Sequence, residues 1–509
     1  MREGKPATIT SDDSLNAQAL AQMLPAILAS HLPEFLANRR WYGHKQERIT
    51  DFRLTDLVSE SVGEDIYGLA SVSLTFANQE TVEYFVPLVA TTKASVPEHT
   101  LAVVVAGGVS WSLVDAPTDE GFRQWLLAQL ATGAVERAAD ETRSWLATSQ
   151  LAAFLPEATT GPSQVMRAEQ SNSSILYGHS IIVKIFRRIE VGINPDIEVG
   201  RFLTTRTNFR NMPLLLGEWR DVDGAEAGRS IAVAQNFIES IADGWEYALK
   251  SLAAGRPAGS AAWPFTRDAA VLGVRTAQLH LALASQEDDP SFAPEPITDD
   301  DVARWTDQYL ASMERTRQLL LTRESTPEEA IADLIQAFEE AVPAFRIRAV
   351  GFERLRGRSK TRVHGDYHLG QTLRTVEGDF VILDFEGEPQ RPVAERRAKT
   401  SPLKDVAGML RSFSYARGAA ERALAEHPER DARVSDLVAW ERSARLAFLD
   451  AYLGEAQAHR ASFLPRTRED FREALGVWEL DKAFYEIAYE INNRPDWLWL
   501  PLASALKLA

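Results

Sequence analysis

The chain has 509 residues, 45% of them hydrophobic and 25% charged, and its 72 acidic and 55 basic side chains give a formal net charge of −17. This is the make-up of a soluble globular protein with more than one domain, and the acidic balance speaks against general nucleic-acid binding. There are no cysteines, which excludes disulfides, thiolate metal sites and cysteine nucleophiles.

The first thirty residues carry acids and no long apolar run, so no signal peptide is expected. No uninterrupted apolar window reaches the ~18 residues that a membrane span needs, and a cytoplasmic protein is the expectation. From about Phe52 to Val105 the pattern has period two, in FRLTDLV, YGLASVSLTFA, TVEYFVPLVA and LAVVVA, with Gly, Asn and Pro at the joints. This predicts consecutive strands. The stretch GFRQWLLAQLATG, Gly121 to Gly133, follows as a helix, so residues 1–135 are expected to form an N-terminal α+β cap domain.

Residues 136–240 read as a strand-rich lobe. SQVMRAEQ, SSILYG and SIIVKIF are expected to be consecutive antiparallel strands. A helix, NPDIEVGRFLTT, has Pro195 near its start and Asp196 in its first turn, and RSIAVAQNFI is a further strand. SLAAGRPAGSAAWP, Ser251 to Pro264, reads as a loop. Residues 241–509 are mostly helical: TRDAAVLGVRTAQLHLALAS, DDVARWTDQYLASMERTRQLLL and TPEEAIADLIQAFEEAVPAF repeat with a helical period, and long helices resume at DVAGMLRSFSYARG. A strand-rich lobe followed by a helical lobe predicts a cleft, a common setting for a ligand.

One polar stretch interrupts these helices: VHGDYHLGQTLRTVEGDFVILDFEGEP, Val363 to Pro389. Unpaired buried carboxylates are costly. These groups therefore pair with one another and with backbone, or they meet a metal ion and a substrate. Gln371 lies five residues after Asp366, and Asp384 ends the apolar run FVILDF thirteen residues later. Phosphoryl transfer from ATP uses parts of this kind. One carboxylate orients the acceptor hydroxyl and takes its proton, while an amide oxygen and a second carboxylate hold Mg²⁺ on the phosphates. Hard oxygen ligands suit Mg²⁺. The same chemistry asks for a lysine on a strand of the first lobe and an acid on the next helix. Lys184, inside SIIVKIF, and Glu198, on the helix that follows, meet that demand. A glycine-rich phosphate loop is absent; RAEQSNSSILYG offers serine and asparagine for a polar turn instead. The structural alternatives are a buried polar network around a tight turn and a solvated edge lysine.

The segments AEQSNSSILYG with VKIFRRIEVGINPDIEV, HGDYHLGQTLRT, DFEGEP with SPLKDVAGMLRSFSYA, and WELDKAFYEIAYEINNRPDWL resemble the bacterial maltokinases. They are also similar to the maltokinase-like actinobacterial glucosamine kinases, within the aminoglycoside-phosphotransferase-like kinase group. The resemblance covers about Arg39 to Leu502. It implies an α+β protein with a bilobal, eukaryotic-protein-kinase-like fold and an extra N-terminal cap. It implies transfer of the ATP γ-phosphate to a sugar hydroxyl, with Mg²⁺. Asp366 is then the catalytic base, Gln371 and Asp384 bind magnesium, and Lys184 holds phosphates and pairs with Glu198. The backbone around Gln235, Asn236, Phe237 and Ile238 becomes the adenine hinge.

The acceptor is read from WELDKAFYEIAYEINNRPDW. Leu480, Phe484, Ile487 and Ile491 form one apolar stripe. Glu479, Asp481, Glu486 and Glu490 gather close together, which suits a cationic amino sugar through charge-assisted hydrogen bonds. Lys482 on the same helix is expected at the sugar site with Asp481, Glu486 and Glu490; the plainer reading is an amphipathic helix whose acids are balanced by Lys482 and Arg494. Trp478 either stacks on a sugar face or fills the core. His368 is expected to orient the catalytic loop at the substrate site. Asp405 is a dipole-stabilised helix acid, a brace for the catalytic loop, or a sugar contact. The expected acceptor is glucosamine, phosphorylated at the 6-hydroxyl. Maltose, phosphorylated at the anomeric hydroxyl, is the alternative, with a trehalose-metabolising partner in that case. A nucleotide-binding pseudokinase scaffold disagrees with the presence of Lys184, Glu198, Asp366, Gln371 and Asp384. An aminoglycoside phosphotransferase disagrees with the maltokinase-like C-terminal helix.

Overall fold

A computed structural model describes residues 7–45, 47–133, 135–137, 142–166, 171–221, 228–256, 263–323, 329–388, 391–424 and 430–509. The chain divides into two compact units, Met1–Arg201 with Pro213–Phe237, and Phe202–Met212 with Ile238–Ala509.

The first unit opens with β1 (Ala7–Ser11), α1 (Ala17–Ala37), β2 (Ile49–Val62), β3 (Asp65–Phe76), β4 (Thr81–Thr91), β5 (Thr100–Ala106), β6 (Val109–Asp115) and α2 (Glu120–Thr132). It continues with β7 (Val135–Arg137), β8 (Thr142–Ala147), α3 (Leu155–Thr160), β9 (Ser163–Val165), β10 (Asn172–Tyr177), β11 (Ile181–Phe186) and β12 (Arg188–Ile189). After α4 (Pro195–Arg206), which runs on into the second unit, β13 (Leu215–Asp221) and β14 (Ser230–Asn236) complete it. Two sheets result. One has the order β1-β5-β6-β4-β3-β2, with β12 paired to β4; the other runs β7-β8-β13-β14-β11-β10-β9. The expected antiparallel run of β9, β10 and β11 is present.

Helix α1, which the sequence reading does not include, carries Pro25 and Pro33 in its interior. Leu20, Leu24, Ile27, Leu28 and Leu32 recur on one face, and their burial against the first sheet outweighs the two lost backbone bonds. A second core joins α2 to both sheets. Trp145 and Trp219 stack there at 5.9 Å, and Arg187 clamps Asp115 with two bonds of 2.9 Å. Strand β13, also missed, is the edge-to-edge link between β8 and β14.

The second unit holds β15 (Ser240–Asp243), α5 (Gly244–Ala254), α6 (Phe265–Leu283), β16 (Glu295–Pro296), α7 (Asp299–Leu321), α8 (Glu329–Arg348), β17 (Ser359–Lys360), β18 (Thr372–Thr375) and β19 (Phe380–Ile382). Helices α9 (Val393–Arg396), α10 (Leu403–Ala423), α11 (Arg430–Ala458), α12 (Arg468–Asn493) and α13 (Trp499–Leu508) complete the chain. The loop expected from Ser251 begins only after α5, whose Asp243 cap and buried Ala248 and Leu252 carry the helix to Ala254. Residues 257–262 of that loop lie outside the described residues, as do 326–328 at the expected start of α8. Of the predicted apolar stripe of α12, Leu480, Phe484 and Ile487 are fully buried and Ile491 is partly buried. Among the described residues no helix is long and apolar enough to cross a membrane.

Candidate active site

In the first unit Lys184 sits mid-sheet on β11, opposite Ser174 of β10 and Val233 of β14. Its Nζ lies 3.8 Å from Asp196 Oδ2, and both side chains are buried. Asn194 caps this end of α4 by accepting the Asp196 N–H at 2.8 Å. Glu198 is buried on the same helix, two positions on. Asp196 had been read only as a first-turn acid; the structure adds it to the lysine's neighbours. Gln235 and Asn236 end β14. The Asn236 and Phe237 N–H groups already donate to Leu214 O and Ser180 O. The expected polar turn over the phosphates falls partly on residues 167–170, outside the described residues.

In the second unit the spacing of Asp366, Gln371 and Asp384 has a structural cause. Strands β18 and β19 form a hairpin in which Thr372 faces Ile382. That register returns the chain to Gln371, whose carbonyl accepts the Leu383 N–H at 2.9 Å. Gln371 Nε2 then donates to Asp384 Oδ2 at 3.0 Å. Asp384 has φ of 62°, left-handed for a residue with a side chain, and this strain is held in place by its surroundings.

Helix α10 braces the loop from His364 to Leu369 along one face. Asp405 takes the N–H groups of His364 (2.7 Å) and Gly365 (2.9 Å) and pairs with His280 Nε2 at 3.1 Å. One turn on, Gly408 lets the helix approach so closely that a Cβ would stand 2.5 Å from the Tyr367 carbonyl oxygen. A turn further, Ser412 Oγ accepts the Leu369 N–H at 3.0 Å. Burial works against the charge of Asp405, but His280, His364 and the Gly365 N–H outweigh it and hold the carboxyl below its usual range. His364 Nε2 donates to Leu383 O at 2.7 Å, tying the loop to the strand end before Asp384.

Asp366 projects from this loop, half-buried. Its Oδ1 lies 3.3 Å from Lys482 Nζ on α12, and His368 Nε2 stands 4.0 Å from its Oδ2. His368 also caps the turn after the loop by accepting the Gly370 N–H. Lys482 lies 3.8 Å from Glu388, which also meets Lys404 at 3.6 Å and pairs with Arg391. Burial works against the Lys482 ammonium, yet Asp366, Glu388 and Glu486 raise its pKa above the usual value. For Glu388 burial is likewise overcome, by Lys404, Lys482 and Arg391, and the carboxyl falls to about 2.

A cavity of about 750 Å³ opens beside this cluster. The Asp366 loop contributes Gly365 and Tyr367, α12 contributes Trp478, Asp481, Lys482 and Tyr485, and α7 forms a further wall with Trp305, Gln308 and Arg315. Burial pushes the Asp481 carboxyl up from its usual range, against the pull of Lys404. Trp478 both packs and lines: its ring meets Trp305 at 5.5 Å and Phe352 at 5.1 Å.

The structure corrects part of the acceptor reading. Glu486 is buried and accepts two bonds from Arg411, at 2.9 and 2.6 Å. Glu490 accepts from Tyr415 Oη at 2.9 Å and from two of the Arg494 guanidinium nitrogens. Glu479 pairs with Arg445 at 2.8 Å. Asp405 is 1% exposed and already accepts three donors. These carboxylates are occupied inside the protein, so Glu486, Glu490 and Asp405 are structural; of the helix acids, Asp481 alone among the described residues lines the cavity. Glu388, Lys404 and Tyr485 were missed as site residues, although DFEGEP and SPLKDVAGML carry the first two.

No family model matches the chain. It is 28% identical over 366 residues to a glucosamine kinase of Streptacidiphilus jiangxiensis, covering 69% of this chain and 75% of that one. It is 29% identical over 343 residues to a glucosamine kinase of Mycolicibacterium smegmatis, covering 66% and 77%. Among solved structures, a glucosamine kinase in complex with glucosamine, ADP and inorganic phosphate superposes with a TM-score of 0.65 at 21% identity, covering 94% of this chain and 98% of that one. A second crystal form of a glucosamine kinase gives 0.66 at 22% identity. The fold is therefore an α+β fold shared with the solved glucosamine kinases, with a strand-rich unit and a mostly helical one. By sequence the chain is similar to two glucosamine kinases.

Proposed function

We propose that the protein is an ATP-dependent glucosamine kinase that moves the γ-phosphoryl group of ATP to the sugar's 6-hydroxyl. In this reading residues 1–135 form a cap, 136–240 the ATP-binding lobe, and 241–509 the catalytic and sugar-binding lobe. The observation that carries it is the braced loop that presents Asp366 beside a cavity, with Gln371 and Asp384 bonded together on the adjoining hairpin. The names of the sequence relatives support glucosamine over maltose as the acceptor.

Asp366 takes the proton of the attacking hydroxyl as the bond from phosphorus to the sugar oxygen forms and the bond to ADP breaks. Gln371 and Asp384 fit Mg²⁺. Both offer hard oxygens, and with Gln371 Nε2 committed to Asp384 the amide's carbonyl oxygen is its ligand atom. The metal supplies neutralisation of phosphate charge. Lys184, held by acids on α4, adds a further positive charge for the phosphates, and the chain from Gln235 to Ile238 borders the adenine. Asp481 is the acid left for the sugar's ammonium; the raised pKa that burial gives it is a cost that a cation beside it relieves. Lys482 and His368 hold Asp366 in place, and Trp478 closes the cavity wall. A reaction that consumes ATP fits the cytoplasmic setting expected from the sequence.

The test is ATP consumption by the purified protein with Mg²⁺ and glucosamine, glucose, N-acetylglucosamine or maltose. Glucosamine should exceed glucose in kcat/KM by roughly one to two decades, the effect of a lost charge-assisted hydrogen bond of about 1.5–3 kcal/mol. A clear preference for maltose would overturn the reading.

A further inference from the structure

The acceptor cavity lies within the range of about 300–1,000 Å³ that encloses drug-sized ligands, so a monosaccharide fills only part of its 750 Å³. One wall of it continues outward as a train of rings. Lys482, bonded to Asp366, has its Nζ 4.8 Å from the Tyr485 ring centroid. Tyr485 lines the cavity, and Tyr489, one turn on, stacks with it at 6.5 Å and 23°. The Arg494 guanidinium then lies 5.4 Å from Tyr489 and 5.3 Å from Trp497, past the end of α12. A tyrosine pair four residues apart is ordinary helix stabilisation. That does not account for the exposure of Tyr489, which is 38% exposed, beside the partly buried Tyr485, in a helix whose Phe471, Trp478 and Phe484 are buried. Arg494 is itself held by its pair with Glu490, and Trp497 stacks with Tyr415.

We infer that the acceptor site extends past one sugar, and that Tyr485 and Tyr489 are a stacking platform for the further units of an amino-sugar oligosaccharide. The inference rests on the glucosamine kinase reading and deepens it. Sugar rings present C–H faces that pack on aromatic faces, while their hydroxyls take polar neighbours such as Arg494. A glucosamine oligomer carries several positive charges, and a protein of net charge −17 draws it in. The transfer itself is unchanged: the hydroxyl of the sugar nearest Asp366 takes the phosphoryl group.

The experiment compares kcat/KM for glucosamine and for its β-1,4-linked di- and trisaccharide, with products identified by mass spectrometry. Wild type, Tyr489→Ala and Tyr489→Phe are compared. The oligosaccharides should be preferred by about tenfold, the value of one well-placed ring contact. Tyr489→Ala should remove that preference and leave glucosamine turnover unchanged, and Tyr489→Phe should retain it. Phosphorylation of glucosamine without the oligosaccharides overturns the platform while sparing the kinase reading. So does a preference that survives in Tyr489→Ala. Turnover of none of these sugars overturns both.

Discussion

Lys482 Nζ and Asp366 Oδ1 meet at 3.3 Å across 116 residues of sequence. The contact joins the helix that lines the acceptor cavity to the loop that carries the proposed base. Because Lys482 also reaches Glu388, removing the Asp366 charge leaves the lysine a partner. Asp366→Asn should therefore fold normally and keep its affinity for nucleotide. Turnover should fall by ~10² or more, the scale of a lost general base. Calorimetric nucleotide titration alongside kcat checks this, and near-normal turnover would remove Asp366 from the role.

Asp384→Ala should weaken Mg²⁺-ATP binding and nearly abolish turnover, since phosphate charge then lacks its counter-charge. Gln371→Asn, which keeps the carbonyl with a shorter reach, should be milder. Unchanged Mg²⁺-ATP affinity in Asp384→Ala would refute the metal assignment.

Asp405→Ala leaves His280 and the His364 and Gly365 N–H groups without their acceptor. Removing one member of a buried charged network costs about 3–5 kcal/mol, readable in urea unfolding. Where the variant remains folded, kcat should drop while the sugar KM stays near wild type. A contact with the sugar would move KM instead.

Asp481 and Glu486 should separate cleanly. Asp481→Asn should raise the KM for glucosamine about tenfold or more, with little change for glucose. Glu486→Ala removes the carboxylate bonded to the buried Arg411 and should cost about 3–5 kcal/mol of stability. It should leave the ratio of glucosamine to glucose turnover unaltered. A selectivity change in Glu486→Ala would restore that residue to the sugar site.

Glu388 gives a pH signature. Its pKa falls from 4.5 to about 2 on folding, so its contribution to stability is complete above pH 4.5 and is lost as pH drops toward 2. The stability gap between wild type and Glu388→Gln should thus be widest at neutral pH and narrow through this window. Urea unfolding at pH 7, 4 and 3 measures it; a gap constant with pH would contradict the assignment.

What could be read from the sequence follows the range of the interactions. Asp366, Gln371 and Asp384 fall within one short segment, and a hairpin of fixed register sets their spacing. That spacing is visible in a single line of residues. The partners of the α12 acids are not. Arg411 lies 75 residues from Glu486, Tyr415 lies 75 from Glu490, and Arg445 lies 34 from Glu479. Acids that tertiary packing had already matched therefore looked available for an amino sugar. Helix α1 depends on distance in the same way: its prolines disfavour it locally, while the burial that overrides them needs a sheet made later in the chain.

The face of α10 that carries Asp405, Gly408 and Ser412 has a consequence for the order in which the enzyme comes alive. Bonds from Gly365, His364 and Leu369 reach 40, 41 and 43 residues toward the C-terminus. At about 5–20 residues per second, a ribosome needs roughly 2–8 s to make that stretch. During that interval the nascent chain already contains its base but lacks the helix that shapes it. The strand-rich unit, complete by Phe237, is made before then, yet the loop has no template on which to bend. In the proposed kinase, phosphoryl transfer thus waits for α10 to emerge and dock.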